Sequence, residues 1–440
     1  MRKPISVKPF VDRFLTFILS IVVIMSLLLS GMIWAGTPFH MSSNRLGFFT
    51  TPNYGHTSPT NVVFQPQSIY YWTGDNQLYR VGSNPSLNTM VMNVLGNVQI
   101  LPGHFRPSAS YPQFLLRGSY VRLNFGNSIL TNAMMGMLFA AIPNKLPPVL
   151  DGSLYLSTRD HHAILSYQTT KKRIYSADLL VPKGFATSLH RPSFAIPYVQ
   201  IPLAHGMISL PYTAITMKLE ERSIVKPKVV HLLNAYFSDP SLVQTKTFLH
   251  GVKWYTDGFH SVIERQSPYG EQITYQSPSG YVSHLPVNEA DAINTAVNFV
   301  NDHGGFTGQV SLRIISSFQQ ATPITVSLQQ VIDGWPVFGS FSRQLVTIQN
   351  NAVISMQTPL SYMGSIIDEQ TVTILSGTSF LHHLTNKQLD QVTSIAIGYG
   401  TKLTNFGTLQ LIPVYQVMYG SNHVVYYDAR NGEVFNYVLM

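Results

Sequence analysis

The chain of 440 residues contains no cysteine. That absence removes disulfides, Cys-ligated zinc, thiol catalysis and lipoprotein acylation together. A domain outside the cytoplasm must then rely on its cores rather than on cross-links, which this length permits. Charge is scarce as well. Charged residues make up 11% of the sequence, against about 25% in an average globular protein. The surface must be built largely from Ser, Thr, Asn, Gln and Tyr. Catalytic spacings are also missing. There is no Gly-x-Ser-x-Gly elbow, no Gly-x-x-x-x-Gly-Lys phosphate loop and no His-Glu-x-x-His zinc helix.

The formal net charge is +8. Arg2, Lys3, Lys8 and Arg13, offset by Asp12, concentrate part of it in the first thirteen residues. The excess left to the remainder is too dilute for a nucleic-acid partner. Fifteen histidines would add positive charge in an acidic environment. Hydrophobic residues at 45% and aromatics at 12% exclude a disordered chain.

One long apolar run is present. Phe14 to Ala35 carries no charge over 22 residues, enough as a helix to cross about 30 Å of hydrocarbon. Basic residues precede it and no charge follows before Arg45. The positive-inside bias therefore predicts a cytoplasmic tail over 1–13, a transmembrane helix over 14–35 and everything later outside the cell. Trp34 and Phe39 fall where an outer aromatic belt belongs. A cleaved signal would have an apolar region of about 7–15 residues and an Ala-x-Ala-like site; Trp34-Ala35-Gly36 is a poor one. The reading is an uncleaved anchor. Ser26 and Ser30 share a helix face, with Gly31 beside them, and small residues there let a partner's membrane helix approach.

Turn-rich residues 36–60 read as a juxtamembrane connector. Three outer regions follow: an N-terminal α/β domain over 61–150, a central domain over 151–284 and a C-terminal domain over 285–440. In the first, Asn61-Val62-Val63-Phe64 and Tyr120 to Phe125 read as strands and Met134 to Ile142 as a short helix. In the second, Ser153 to Leu156 reads as a strand and Lys228 to Phe237 as a helix ending before Asp239-Pro240. Asp257-Gly258 is a turn. In the third, Asn288 caps a helix whose buried stripe is Ile293, Ala296, Val297 and Val300, stopped by Gly304-Gly305. Strands follow at Val310 to Ile314 and Ile324 to Leu328, with turns at Asp333-Gly334 and Asn350-Asn351. A looser second copy comprises a helix over Phe380 to Leu389, strands at Ser394 to Gly398, Leu409 to Tyr419 and His423 to Asp428, and a hairpin at Asn431-Gly432 leading into Val434 to Tyr437. Helices laid across antiparallel sheets make the fold class α+β.

Candidate chemistry is thin. His161-His162 and His382-His383 are adjacent pairs. Neighbours point to opposite faces of a strand or diverge by about 100° on a helix, so neither pair chelates one metal alone. Glu220-Glu221 and Asp368-Glu369 have the same difficulty. Asp239 and Asp257 are distant carboxylates of the kind a glycosidase holds roughly 5–10 Å apart, but turn formation explains the second. Lys171-Lys172-Arg173 and the group Arg222, Lys226 and Lys228 suit either a solvated face or contact with teichoic acid or lipid head groups. No catalytic residue, metal or cofactor is assigned.

The anchor ending Leu-Leu-Leu-Ser-Gly-Met-Ile-Trp, soon followed by Pro38, resembles the start of the YycH family of two-component-system regulators. So does the run Leu232 to Ser241, with Asp239 and Pro240, followed by Tyr255-Thr256-Asp257-Gly258. Ala296 to Val300 with Gly304-Gly305, then Asp333 to Gly339 with Gly334, Pro336 and Gly339, extend the likeness. Residues 41–200 match only in layout. The resemblance implies a membrane protein of Gram-positive bacteria that acts, with a YycI-like sister protein, on the WalK (YycG) sensor histidine kinase governing cell-wall metabolism. It implies contact through membrane helices and outer domains, and a C-terminal domain similar to YycI and PepSY modules. It carries over no catalytic residue. The alternative is an anchored wall-polymer-binding protein or wall hydrolase.

Overall fold

The computed structural model describes residues 18–27, 55–73, 77–82, 85–100, 106–108, 120–125, 132–139, 153–159, 162–168, 174–180, 191–267, 270–277, 289–308, 310–314, 323–339, 342–420 and 423–435. Residues 18–27 form helix α1. Its Ile18, Leu19, Ile21, Val22, Val23, Ile24, Met25 and Leu27 are all exposed. Among the described residues no helix is long and apolar enough to cross a membrane. The flanking positions 14–17 and 28–35 lie outside the described residues, and with them Ser30 and Gly31. Ser26 lies on α1 and is exposed.

Residues 51–440 make one compact unit built on two large sheets. The first uses β1 (Ser68–Thr73), β2 (Gln77–Gly82), β3 (Gln99–Ile100), β4 (Arg106–Ser108), β5 (Tyr120–Asn124), β6 (Ser153–Arg159), β7 (His162–Gln168), β8 (Ile174–Leu180), β9 (Ile196–Leu203) and β10 (Gly206–Pro211). Their spatial order is β10-β9-β2-β1-β5-β6-β7-β8-β3, with β4 also on β8. The second sheet uses β11 (Ile215–Val225), β12 (Gln244–Thr247), β13 (Lys253–Thr256), β14 (Ser261–Ser267), β15 (Gly270–Gln276), β16 (Val310–Ile314), β17 (Ile324–Ile332), β18 (Trp335–Phe338), β19 (Arg343–Gln349), β20 (Ala352–Pro359), β21 (Tyr362–Ile374), β22 (Val392–Leu403), β23 (Leu409–Tyr419) and β24 (His423–Asp428). Their order is β12-β13-β14-β15-β20-β19-β17-β18-β22-β23-β11-β21, with β16 on β17 and β24 on β23. The β18–β22 pair is parallel. The architecture is a mostly antiparallel α+β fold.

Seven helices accompany the sheets among the described residues: α2 (Thr60–Val63), α3 (Pro85–Gly96), α4 (Asn132–Leu138), α5 (Val229–Tyr236), α6 (Glu289–Asp302), α7 (Gly377–Leu381) and α8 (Asn386–Leu389). Helix α6 buries the stripe its sequence predicts. Ile293, Ala296, Val297 and Val300 are almost wholly inaccessible and join the largest core with residues of both sheets. Gly304 and Gly305 both have positive φ, and the Gly305 N–H returns to the Val300 carbonyl, ending the helix where two glycines permit it. Asn288 lies outside the described residues.

Two local expectations need correction. Asn61 to Phe64 is not a strand: residues 60–63 form one helical turn, with Val62 and Val63 N–H groups on the Pro59 carbonyl. A turn buries both Val63 and Phe64 in the core, whereas strand alternation would aim them to opposite faces. Phe380 to Leu389 is not one helix. Thr385 opens a new one through a reciprocal capping box with Gln388, which separates α7 from α8. The hairpin at Asn431-Gly432 forms as expected: Tyr427 bridges Val434, and the Phe435 N–H donates to the Tyr426 carbonyl at 2.7 Å; residues 436–440 lie outside the described set.

The connector's end is tied down by the C-terminus of α6. The Gly55 N–H donates to the Gly304 carbonyl at 2.9 Å, and His56 and Phe306 exchange backbone hydrogen bonds. A Cβ on Gly305 would sit 2.8 Å from the His56 oxygen, so the close approach needs glycine. Asn301 then clamps Ser58, accepting from its N–H and donating to its carbonyl, both at 2.9 Å. Asn301→Ala is expected to cost about 1–2 kcal/mol, the net worth of two such bonds, and to sensitise residues 55–58 to proteolysis. Urea unfolding with limited digestion measures both.

Burial pushes the phenols of Tyr71, Tyr255 and Tyr275 up to about 12. A raised folded-state pKa favours the protonated phenol in the native state. The associated stability is complete below the ordinary value near 10 and is lost as pH rises towards 12. Thermal melts from pH 9 to 12 should fall steeply across that window.

Candidate interaction surface

The stretch from Leu232 to Gly258 builds one edge of the second sheet. Helix α5 ends with Ala235, Tyr236 and Phe237 buried in the core, and the Phe237 N–H caps back to the Leu233 carbonyl. The chain then turns outward. The Asp239 carboxylate accepts from the Ser241 hydroxyl at 2.6 Å and its N–H at 2.9 Å, and Pro240 opens a 3-10 turn to Leu242. These bonds, the hydroxyl's first, hold Asp239 below the usual carboxylate range. Asp239 is thus the cap of the turn that launches β12.

Strand β12 is exposed throughout and, among the described residues, pairs only with β13, as an edge of the sheet. Lys246 lies opposite Trp254 and over its ring at 5.5 Å. Tyr255 is buried, and its hydroxyl donates at 3.0 Å to Glu264, a buried carboxylate that also meets Lys253 at 3.3 Å. A phenol and an ammonium together satisfy this inward carboxylate, as burial requires.

Thr256 and Ser261 close the β13–β14 hairpin. Asp257 organises its four-residue loop, accepting from the Phe259 N–H at 2.8 Å, the His260 N–H at 2.7 Å and His260 Nδ1 at 3.1 Å. Burial raises the Asp257 carboxyl, but these donors outweigh it and its pKa is lowered. Gly258 takes φ +93°, a conformation glycine tolerates. Phe259, directly after it, is 76% exposed. Leu242, at the same end of the hairpin, and Phe248 and Leu249, at the other, are also exposed, Leu249 at 85%. The two ends lie about 14 Å apart, four residues of strand. Such large apolar side chains flanking a free edge suit a protein partner.

A stack of rings runs from this loop to the connector clamp. His260 stacks on Tyr275 at 5.9 Å, Tyr275 meets Phe299 at 5.2 Å, and Phe299 stacks on His303 at 3.7 Å. His303 directly follows α6, immediately before Gly304 and Gly305 and the backbone bonds to residues 55–56.

The remaining motif glycines and proline sit elsewhere. Asp333 and Gly334 both have positive φ and join β17 to β18 as a two-residue turn. Gly334, Trp335 and Pro336 face a cavity between the two sheets. Gly339, at φ +121°, leaves no room for a Cβ beside the Thr401 hydroxyl. The acidic pairs do meet: Glu220 lies opposite Glu369 and Glu221 opposite Asp368. Cations and hydroxyls answer them, Arg222 on Glu220 at 2.6 Å, Lys218 on Glu369 at 3.2 Å, and Thr408 on Glu221. Arg222 and Lys226 are paired with Glu220 and Glu271, which leaves them less available to an anionic polymer. Lys171-Lys172-Arg173 and His161 lie outside the described residues. Sequence reasoning missed Phe248, Leu249 and Phe259 as surface residues. The available signal was an aromatic placed beside Asp-Gly in a short loop between strands, where nothing can cover it.

The fold and this edge define a mostly antiparallel α+β protein with a polar edge strand flanked by exposed apolar side chains. A family model described as the C-terminal domain of YycH protein matches residues 209–431. The chain belongs to the YycH family. That membership implies regulation of the YycG (WalK) sensor kinase; the family is regulatory and not known to be enzymatic. The crystal structure of YycH from Bacillus subtilis is similar over 84% of this chain and 98% of that one, with TM-score 0.65 and 17% identity, a likeness of fold. An uncharacterized protein from Eubacterium rectale aligns with 54% of this chain and 93% of its own, at TM-score 0.36 and 13% identity, which carries no argument. No curated protein matches the sequence significantly.

Proposed function

We propose that the chain is a membrane-anchored extracytoplasmic regulator of a WalK (YycG)-type sensor histidine kinase that controls cell-wall metabolism, working beside a YycI-like sister protein. Membership of the YycH family carries this reading. The uncharged run over 14–35 supports a single membrane pass with the N-terminus in the cytoplasm. The apolar surface all round α1 suits lipid. Ser26, Ser30 and Gly31 are the proposed contact with the kinase's membrane helices. The β12 edge, with Leu242, Phe248, Leu249 and Phe259, is the proposed contact with the sister protein, and residues 285–440 are the proposed YycI-like domain.

The mechanism is a population shift. Binding one state of the kinase better than the other biases its equilibrium, and a difference of about 1–2 kcal/mol changes signalling several-fold. The ring stack from His260 to His303 and the backbone bonds at Gly55 and His56 give the edge loop a packed connection to the connector. Two-way coupling through that connection is part of the proposal.

Co-purification of the tagged full-length protein from its own membranes, beside a version lacking residues 1–36, tests the reading. Recovery of a sensor kinase with the full-length form alone is the expected result. Recovery of no kinase with either form would overturn it in favour of a wall-polymer-binding or wall-degrading role.

A further inference from the structure

The face of the first sheet that meets Trp335 of the second carries arginines among aromatic rings. Tyr70 on β1 lies opposite Arg80 on β2 and opposite Arg122 on β5. The three side chains therefore share one face as a row. Arg80 is only 7% exposed. Its guanidinium lies 4.1 Å from the Trp335 ring centre and 5.7 Å from that of Tyr198, and its Nη1 reaches the Tyr198 hydroxyl at 3.5 Å. Arg122 stacks on Tyr70 at 4.1 Å and donates from Nη2 to the Ser209 hydroxyl at 3.2 Å. Its Nε is buried without a hydrogen-bond partner.

Among the described residues no carboxylate pairs with either arginine. Buried arginine is rarely left so, because removing a guanidinium from water is costly without a counter-charge. Ring faces recover only part of that cost. Next to the pair lies a cavity of about 120 Å³, lined by Tyr70, Arg80, Tyr198, Ser209, Gln329 and Trp335. It is roomy enough for about four waters. It is far smaller than a drug-sized site of about 300–1,000 Å³. Burial raises the Tyr70 phenol, yet Arg80 and Arg122, with hydrogen bonds involving Ser68 and Arg80, bring it below its ordinary value.

We propose that this inter-sheet cavity binds a small oxyanion, a carboxylate or a phosphate group, with Arg80 as its direct ligand. Guanidinium forks match the paired oxygens of both groups. Arg122 adds charge from behind Tyr70 and Ser209. The bound anion joins β1, β2 and β10 of the first sheet to the β17–β18 turn of the second, so occupancy stiffens the junction between them. The site draws on the Gly334-Trp335-Pro336 turn for a purpose separate from kinase contact.

The test is thermal melting of the full-length protein in detergent, with potassium phosphate or potassium succinate titrated against potassium chloride at equal ionic strength. A saturable rise in Tm of about 2–4 °C at hundredfold excess over Kd is expected, with chloride inert. Phosphate alone raising Tm would assign a phosphoryl ligand, and succinate alone a carboxylate. Arg80→Gln should abolish the rise, and Lys246→Gln on the β12 edge should leave it intact. If Arg80→Gln fails to fold, Ser209→Ala, which keeps both arginines, should weaken the apparent affinity several-fold. A rise matched by chloride, no rise at all, or a full rise in either Arg80→Gln or Ser209→Ala would overturn the proposal. No rise would mean that Tyr70 itself supplies the counter-charge.

Discussion

Replacing Leu249 and Phe259 together by serine is expected to weaken binding to the sister protein at least about thirtyfold, the effect of losing about 2 kcal/mol at an interface. The reason is their position. Leu249 is 85% exposed and Phe259 76% exposed at opposite ends of the β12–β13 hairpin. Large apolar groups held in fixed turns lose little entropy when a partner covers them. The Asp257 carboxylate fixes one turn, and the positive φ of His250 and Gly251 shapes the other. Because both side chains are in water, the double change should move stability by no more than about 0.5 kcal/mol. Phe406→Ser is the control. Phe406 is 90% exposed at the β22–β23 tip, and its loss should leave binding unchanged. Biolayer interferometry between purified full-length proteins, with melting curves of each variant, separates the effects. Equal binding by the double variant would remove the β12 edge from the account.

The second large effect is on stability. Phe380→Ala is expected to cost about 3–5 kcal/mol, the usual loss for a buried phenylalanine. Phe380 has no accessible surface, stacks on Tyr415 with ring centres 3.9 Å apart, and meets Tyr427 edge-on at 5.5 Å. Tyr415 in turn donates to the Leu375 carbonyl at 2.7 Å. Removing the ring opens a cavity between α7 and β23 that the capped helices cannot close. Urea denaturation gives the number directly. A loss below about 1 kcal/mol would mean that the short helices collapse into the gap. Phe259 and Phe380 are both phenylalanines in short connecting elements, and burial alone assigns one to recognition and the other to the core.

The sequence was most legible where a local signal was also the global answer. The α6 stripe, the Asp333-Gly334 and Asn350-Asn351 turns, and the ends of β23 and β24 follow from periodicity and from residues that accept positive φ. It was least legible where packing overrode propensity. Val62 and Val63 favour strands, yet the core under α6 takes Val63 and Phe64 from a single helical turn. The change of sheet between Pro211 and Ile215 had no local signal, because strand pairing across long separations leaves little local trace. The candidate site was half legible. The Asp-Pro and Asp-Gly turns announced themselves, but their role in holding a free edge depends on β12 having a neighbour on one side only. The arginine row was not legible at all, since Tyr70, Arg80 and Arg122 meet only through the register of three strands.

The proposed activity of this chain is to bias a sensor kinase. The most direct test is autophosphorylation of a purified WalK-type kinase in proteoliposomes, with and without the full-length chain. A several-fold change in rate, in one consistent direction, is expected, and it is lost when Ser26 and Ser30 are both replaced by leucine. A rate unchanged by saturating amounts of the chain, with its sister protein also present, would contradict it.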